Sequence, residues 1–230
     1  MFFRKIKTFL ETGLEKILDI LFPREKRAEL LEKISPEEFW EKCKKAKTVF
    51  ERTEFSKKRI ALFDYKDPLV REAIWQVKYK GNKKVTRLLA HLLYDVLIAD
   101  LEDLGLFSDF EKPIIIPAPI SKRRLHERGF NQTELLVKAL SFIDVSHVFT
   151  HDFSVLYKIK DTPSQTSLKD KRKRMKNVRD CFKVKNPEKI KNKNIIILHD
   201  VSTTGSTLYE IEKVLHKAGA KNIVSITIAH

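Results

Sequence analysis

The chain has 230 residues, is 42% hydrophobic, and carries 46 Lys and Arg against 31 Asp and Glu, a net charge of +15. That apolar share, with only 6 Gly and 8 Pro, excludes a low-complexity chain, and the length sets the expectation of one main domain with an extension. The positive balance favours anionic partners, whether phosphorylated metabolites, nucleic acid or an acidic membrane surface; a solvated basic face is the plain alternative. Cys43 and Cys181 are the only cysteines and neither sits in a CxxC pair, which argues against a zinc ribbon or a disulfide framework and for a reducing, cytoplasmic compartment.

Phe2, Phe3, Ile6, Phe9, Leu10, Leu14, Ile17, Leu18 and Leu21 recur at helical spacing, so residues 2–22 read as an amphipathic helix ended by Pro23. It suits docking on the domain, on a partner chain or on a membrane surface. Glu11, Glu15, Lys16 and Asp19 interrupt any signal-peptide core. No uncharged run approaches the ~18 residues of a membrane span. Residues 24–57 are highly charged and predict short helices, one opened by Ser35 and Pro36 with Glu38 placed for a capping box.

Arg59–Tyr65 predicts a strand, Pro68–Tyr79 a helix ended by Gly81, and Leu88–Leu97 a second helix ending before Gly105. From there strands and helices alternate: strand Ile114–Ile116, helix Leu135–Ile143, strand Val155–Ile159, strand Ile195–Leu198, helix Leu208–Ala218, strand Ile223–Ile228. Such alternation implies an α/β fold with a parallel sheet covered on both faces.

The stretch IIILHDVSTTGSTL, Ile195–Leu208, carries the first chemical signal. A buried strand ends in His199 and Asp200. Val201, Ser202, Thr203, Thr204, Gly205, Ser206 and Thr207 follow, and a helix begins. Free N–H groups, hydroxyls and a helix N-terminus at a strand's carboxyl end suit a phosphate, and Gly205 would allow close backbone approach. An ordinary polar turn is the alternative. Thr207 and Glu210 are placed for a capping box, and Gly219 for a left-handed C′ residue.

The second signal is Ile114–Gln132. An apolar strand ends in Pro117 and Pro119, followed by Ser121, Lys122, Arg123, Arg124 and Arg128. Arg binds phosphate bidentately, so a second anion site or a basic surface loop both fit. Asn131 with Glu134 can cap the next helix. The third signal is Lys158–Lys185, with 11 Lys or Arg and 3 Asp, a net of +8. It reads as a lid over an anionic ligand, a nucleic-acid contact through Lys171, Arg172, Lys173 and Arg174, or a solvated face. No aromatic residue lies between Tyr157 and Phe182 to stack bases there.

FDYKDPLVREAIWQVKYKG (Phe63–Gly81), IPAPISKRRLHERGFNQTELL (Ile116–Leu136), TPSQTSLKDKRKRMKNVRDCFKV (Thr162–Val184), IIILHDVSTTGSTL and the Ala218-Gly219-Ala220 turn, in this order, resemble the ComF family of competence proteins. That family is similar to type I phosphoribosyltransferases. The resemblance covers residues 58–230 and leaves 1–57 as an N-terminal helical extension. It implies a type I phosphoribosyltransferase-like parallel sheet flanked by helices, and a site for 5-phosphoribosyl 1-pyrophosphate with Mg²⁺, the metal held without direct protein ligands. Thr203–Thr207 would cradle the 5-phosphate, with Asp200 on the ribose hydroxyls. Ser121, Lys122, Arg123 and Arg124 would lie near the pyrophosphate. Thr162, Gln165, Arg172, Arg174 and Arg179 would belong to the loop over the site.

Activity would be phosphoribosyl transfer, and partners would include single-stranded DNA and the competence machinery. The alternative is a non-catalytic DNA-handling protein with a vestigial phosphoribosyl pocket. Two departures bear on this. The family often carries a four-cysteine zinc module near its N-terminus; here Cys43 stands alone, so no zinc is expected. The resemblance also implies two adjacent acidic residues where this chain has His199 and Asp200. A neutral His still hydrogen-bonds a hydroxyl but supplies no negative charge, which bears on turnover more than on phosphate binding.

Overall fold

The computed structural model describes residues 24–46, 53–103, 112–162 and 177–230. Five strands form the central sheet: Lys58–Phe63 (β1), Ile114–Pro117 (β2), Thr150–His151 (β3), Asn194–Val201 (β6) and Asn222–Ala229 (β7). Their order is β1-β7-β6-β2-β3 and every neighbouring pair is parallel. The α/β expectation is therefore borne out.

Strand period explains the two cores. Successive side chains point to opposite faces of a sheet. Accordingly Ile196 and Leu198 of β6 join one apolar cluster while Ile195 and Ile197 join the other. The first face is covered by Pro68–Trp75 (α3), Lys83–Asp103 (α4) and Gln132–Ile143 (α6), through residues such as Val70, Ile74, Leu89, Leu93, Leu136 and Leu140. The second is covered by Ser206–Lys217 (α7), through Leu208, Ile211 and Leu215.

Arg24–Lys33 (α1) and Pro36–Lys42 (α2) pack on the first face. At roughly 1.5–3 kcal/mol for each fully buried side chain, Leu31 and Phe39 tie this part of the chain to the main core. Phe39 meets Phe63 of β1 edge to face at 5.3 Å. Cys43 is buried beside them, and burial, then Asp67, pushes its thiol up to about 12. The Ser35 capping box forms as predicted: Ser35 Oγ accepts from Glu38 N–H and Glu38 accepts from Ser35 N–H. The amphipathic segment 2–22 lies outside the described residues. Among those described, no helix is long and apolar enough to cross a membrane.

Three local readings need correction. The predicted strand at Val155–Ile159 forms at Leu156–Lys158 (β4) but does not join the parallel sheet; it pairs antiparallel with Phe182–Val184 (β5). Its partner lies 24 or more residues along the chain, a pairing that local pattern does not encode. The Thr207–Glu210 capping box does not form. Gly205, at φ 70°, is the N-cap and no side chain caps the helix, while Glu210 turns away to accept from Asp180 N–H. The segment after Pro119 is not a loop: Lys122–Arg128 (α5) is a short helix capped by Ser121 and closed by Gly129 at φ 80°. Asn131 caps α6 and donates to Glu134, as its spacing predicts, and Gly219 takes the left-handed conformation after α7 at φ 91°.

Candidate anion-binding site

Parallel α/β sheets bind ligands beyond the carboxyl ends of their strands. Here a cleft of about 130 Å³ opens at the ends of β2 and β6, bounded by the turn Gln76–Lys80, α5, the first turns of α6 and α7, and the β4–β5 pair. Among its lining residues are the cations Lys78, Arg124, Arg128 and Lys158 and a single carboxylate, Asp200.

Asp200 is buried at the end of β6. Its Oδ1 accepts from Val201 N–H at 2.8 Å and its Oδ2 from Gln132 Nε2 at 2.9 Å. Lys78 Nζ lies 3.6 Å from Oδ2. Burial alone would raise this carboxyl's pKa. Lys78, His199, Val201 N–H and Gln132 outweigh it and bring the pKa below the ordinary carboxylate value, so Asp200 is ionised.

His199 lines the same cleft with its side chain 19% exposed. Its Nδ1 sits 3.1 Å from Asp200 Oδ1 without the alignment of a hydrogen bond. Burial lowers its pKa; Asp200 raises it, and Lys78 and Lys158 add to the lowering. The ring is therefore neutral at pH 7, a donor or acceptor for a hydroxyl rather than a counter-charge.

The cations crowd one another. Burial lowers the pKa of Arg124, and Arg128 and Arg123 lower it further. Burial likewise lowers that of Lys158, and Arg124 adds to the effect. An anion in the cleft relieves both penalties at once. Arg124 Nη2 donates to the Thr162 carbonyl at 3.2 Å, and Lys158 Nζ donates to Thr162 Oγ1 at 2.8 Å, so Thr162 ties the β4 side of the cleft to α5.

The predicted site residues divide. Val201, Thr203 and Thr207 line the cleft; Ser202, Thr204, Gly205 and Ser206 form the turn behind them. Thr204 and Ser206 share a hydroxyl–hydroxyl bond of 2.7 Å. The first N–H groups of α7 have no intrahelical acceptor, as in any helix, and they add to the anion-attracting end of the cleft. Of the basic group Arg124 and Arg128 line the cleft. Ser121 is buried and caps α5, Lys122 is exposed, and Arg123 pairs with Glu127 at the surface. Thr162 is in place, whereas Arg179 is exposed beside Asp180. Gln165, Lys171, Arg172, Lys173 and Arg174 lie outside the described residues.

Sequence reading missed Lys78 and Gln132. Lys78 hides in a π-helical turn, Gln76–Lys80, that extends α3. Gln132 is a buried polar residue at the first position of α6, and its sequence signal is its place inside the Ile116–Leu136 segment that carries the family resemblance.

No protein-family model matches the chain. It is 32% identical over 170 residues to competence protein F of Haemophilus influenzae, covering 72% of this chain and 69% of that protein. It is 28% identical over 169 residues to DNA utilization protein YhgH of Salmonella typhi, covering 71% and 68%. Competence protein ComFC of Streptococcus pneumoniae is 27% identical over 168 residues, covering 73% and 66%. Among solved structures, a hypoxanthine phosphoribosyltransferase from Staphylococcus aureus overlays at TM-score 0.33 with 17% identity, covering 64% of this chain and 63% of that one. One from Trypanosoma cruzi overlays at 0.35 with 14% identity, covering 77% and 71%. Overlays this loose assign neither substrate nor reaction.

Proposed function

The chain belongs to the ComF family of competence proteins, and from that premise we propose that its basic cleft binds 5-phosphoribosyl 1-pyrophosphate. The observation that carries this reading is the pairing of four cations and a helix N-terminus with one ionised carboxylate in one cleft. A sugar with phosphates at both ends and a diol between them matches that pattern. The Thr203–Thr207 turn and the N-terminus of α7 suit the 5-phosphate. Arg124 and Lys158 suit the pyrophosphate. Asp200 suits the ribose hydroxyls, with His199 as a neutral neighbour.

Among the described residues Asp200 is the only carboxylate lining the cleft, and no group of three or more His, Cys, Asp or Glu is placed to hold a metal. The chain's own donors therefore do not fit a protein-coordinated Mg²⁺, and any Mg²⁺ that serves the site would arrive on the ligand's diphosphate. Transfer would break the bond from C1 to the diphosphate oxygen, which leaves with the electron pair, and form a bond from C1 to an acceptor. Arg124 and Lys158 would stabilise the charge that grows on the leaving group. Calorimetric titration of the folded protein with phosphoribosyl pyrophosphate and Mg²⁺ tests binding: one site is expected, and no heat at millimolar ligand overturns it.

A second reading concerns DNA, for which some of the similar proteins are named. Just outside the cleft, Trp75 and Tyr79 lie 5.8 Å apart, Lys80 sits over Trp75 at 5.6 Å and Arg128 over Tyr79 at 5.1 Å. Tyr79 is 53% exposed. Aromatic faces interleaved with cations are what single strands stack on. Single-stranded DNA affinity should fall steeply with salt and drop in Tyr79→Ala; flat salt dependence counts against this reading.

A further inference from the structure

Lys78 is held at the cleft by an unusual piece of backbone. The π-helical turn Gln76–Lys80 follows α3 directly and is closed by Gly81 at φ 58°. π turns occur mostly as single insertions in α-helices, often where a side chain must be aimed. Here the turn leaves Tyr79 outside and sets Lys78 in the cleft wall, its Nζ 3.6 Å from Asp200 Oδ2.

That position matters because of what surrounds Asp200. Both carboxylate oxygens already accept hydrogen bonds, from Val201 N–H and from Gln132, and among the described residues no second carboxylate lines the cleft. Mg²⁺ demands near-octahedral oxygen ligands and sheds its water reluctantly. A divalent ion at Asp200 would compete with these hydrogen bonds and would have to approach a resident ammonium. The cleft sets a monovalent cation on a tether 3.6 Å from this carboxylate.

We propose that Lys78 takes the place of a divalent ion beside Asp200, so that the sugar-phosphate end of the ligand binds in this cleft without Mg²⁺. The ammonium holds Asp200 in position to accept from the ribose hydroxyls and offers its other N–H groups to ligand oxygens. This rests on the phosphoribosyl reading of the same cleft.

The test uses ribose 5-phosphate, which lacks the diphosphate that carries Mg²⁺. Its affinity is measured by calorimetry in EDTA and in Mg²⁺, for the full chain, for Lys78→Met and for Lys78→Arg. The full chain is expected to bind equally well in both buffers. Lys78→Met should lose about tenfold or more in EDTA, the weight of one charge-assisted contact, and recover part of that loss in Mg²⁺. Lys78→Arg should retain metal-free binding. A full chain that needs Mg²⁺ to bind ribose 5-phosphate overturns the proposal and leaves the phosphoribosyl reading standing. A Lys78→Met chain unchanged in EDTA, or equally weakened in both buffers, also overturns it. If the folded full chain binds neither ribose 5-phosphate nor phosphoribosyl pyrophosphate in either buffer, the phosphoribosyl reading fails instead. Should Lys78→Met not fold, the EDTA and Mg²⁺ comparison on the full chain decides alone.

Discussion

Two of the buried carboxylates that sit beside cations, Glu212 and Asp200, are built to opposite ends. Glu212 on α7 is fully buried and meets Arg59 of β1 bidentately, at 2.8 Å to Nε and 2.6 Å to Nη2. Its oxygens also accept from Ser225 at 2.7 Å and Thr53 at 2.9 Å. Asp200 meets Lys78 across 3.6 Å at the wall of an open cleft. The first pair is saturated and dry. The second has slack, surplus cations around it and access to a ligand. Saturation suits a pair that fixes the fold; slack leaves a pair open to a ligand. Gly205, the N-cap of α7 in the turn that follows Asp200, lies against the Arg59 guanidinium.

The contrast breaks most readily at Glu212. Glu212→Ala leaves Arg59 buried without its partner and should cost about 3–5 kcal/mol, read as a lower urea midpoint. The corresponding cut at the cleft, Asp200→Asn, should change stability far less while abolishing ligand binding; similar stability losses for both would erase the distinction.

Gly205→Ala should come next. A Cβ there would stand 2.7 Å from Arg59 Nη1, and the residue is held at φ 70°, a conformation that costs a residue with a side chain about 1–2 kcal/mol before any clash. Because Glu212 clamps Arg59, the guanidinium yields only by breaking its ion pair. Thermal unfolding should show the loss, and phosphate affinity should fall with it.

The smallest effect is in pH. His199 has a folded pKa lowered by burial, so the unfolded chain binds the extra proton first. Its contribution to stability is complete above the ordinary histidine pKa, about 6.5, and is lost as pH falls below it, at no more than about 1.4 kcal/mol per pH unit. Asp200, also depressed, adds an acid loss of its own only below the ordinary aspartate value, near 4. Urea titrations between pH 7.5 and 5 should show the first loss, and His199→Gln should flatten it.

Much of this was legible in the residues. The run Ile195–Leu198 followed by hydroxyls has the composition of a doubly buried strand feeding a helix, and β6, its turn and α7 are where the pattern puts them. The basic strand end was legible as charge but not as shape. Helical spacing brings Arg124 and Arg128 to the cleft and turns Lys122 and Arg123 outward. Lys78 was not legible, because a π turn shifts the register that places residues on a helix face. The β4–β5 pair was half legible: its first strand has a pattern, but its antiparallel partner depends on contacts distant in sequence.

If the cleft takes phosphoribosyl pyrophosphate, it holds both ends of one doubly phosphorylated sugar. Competition calorimetry with phosphoribosyl pyrophosphate, ribose 5-phosphate and pyrophosphate, measured separately on the same protein, tests it most directly. One shared site is predicted, with phosphoribosyl pyrophosphate binding about tenfold or more tightly than either fragment, since each end adds charge-assisted contacts. Pyrophosphate alone binding as tightly as the whole ligand would contradict the account, because the cleft would then be a basic patch and not a site for the sugar.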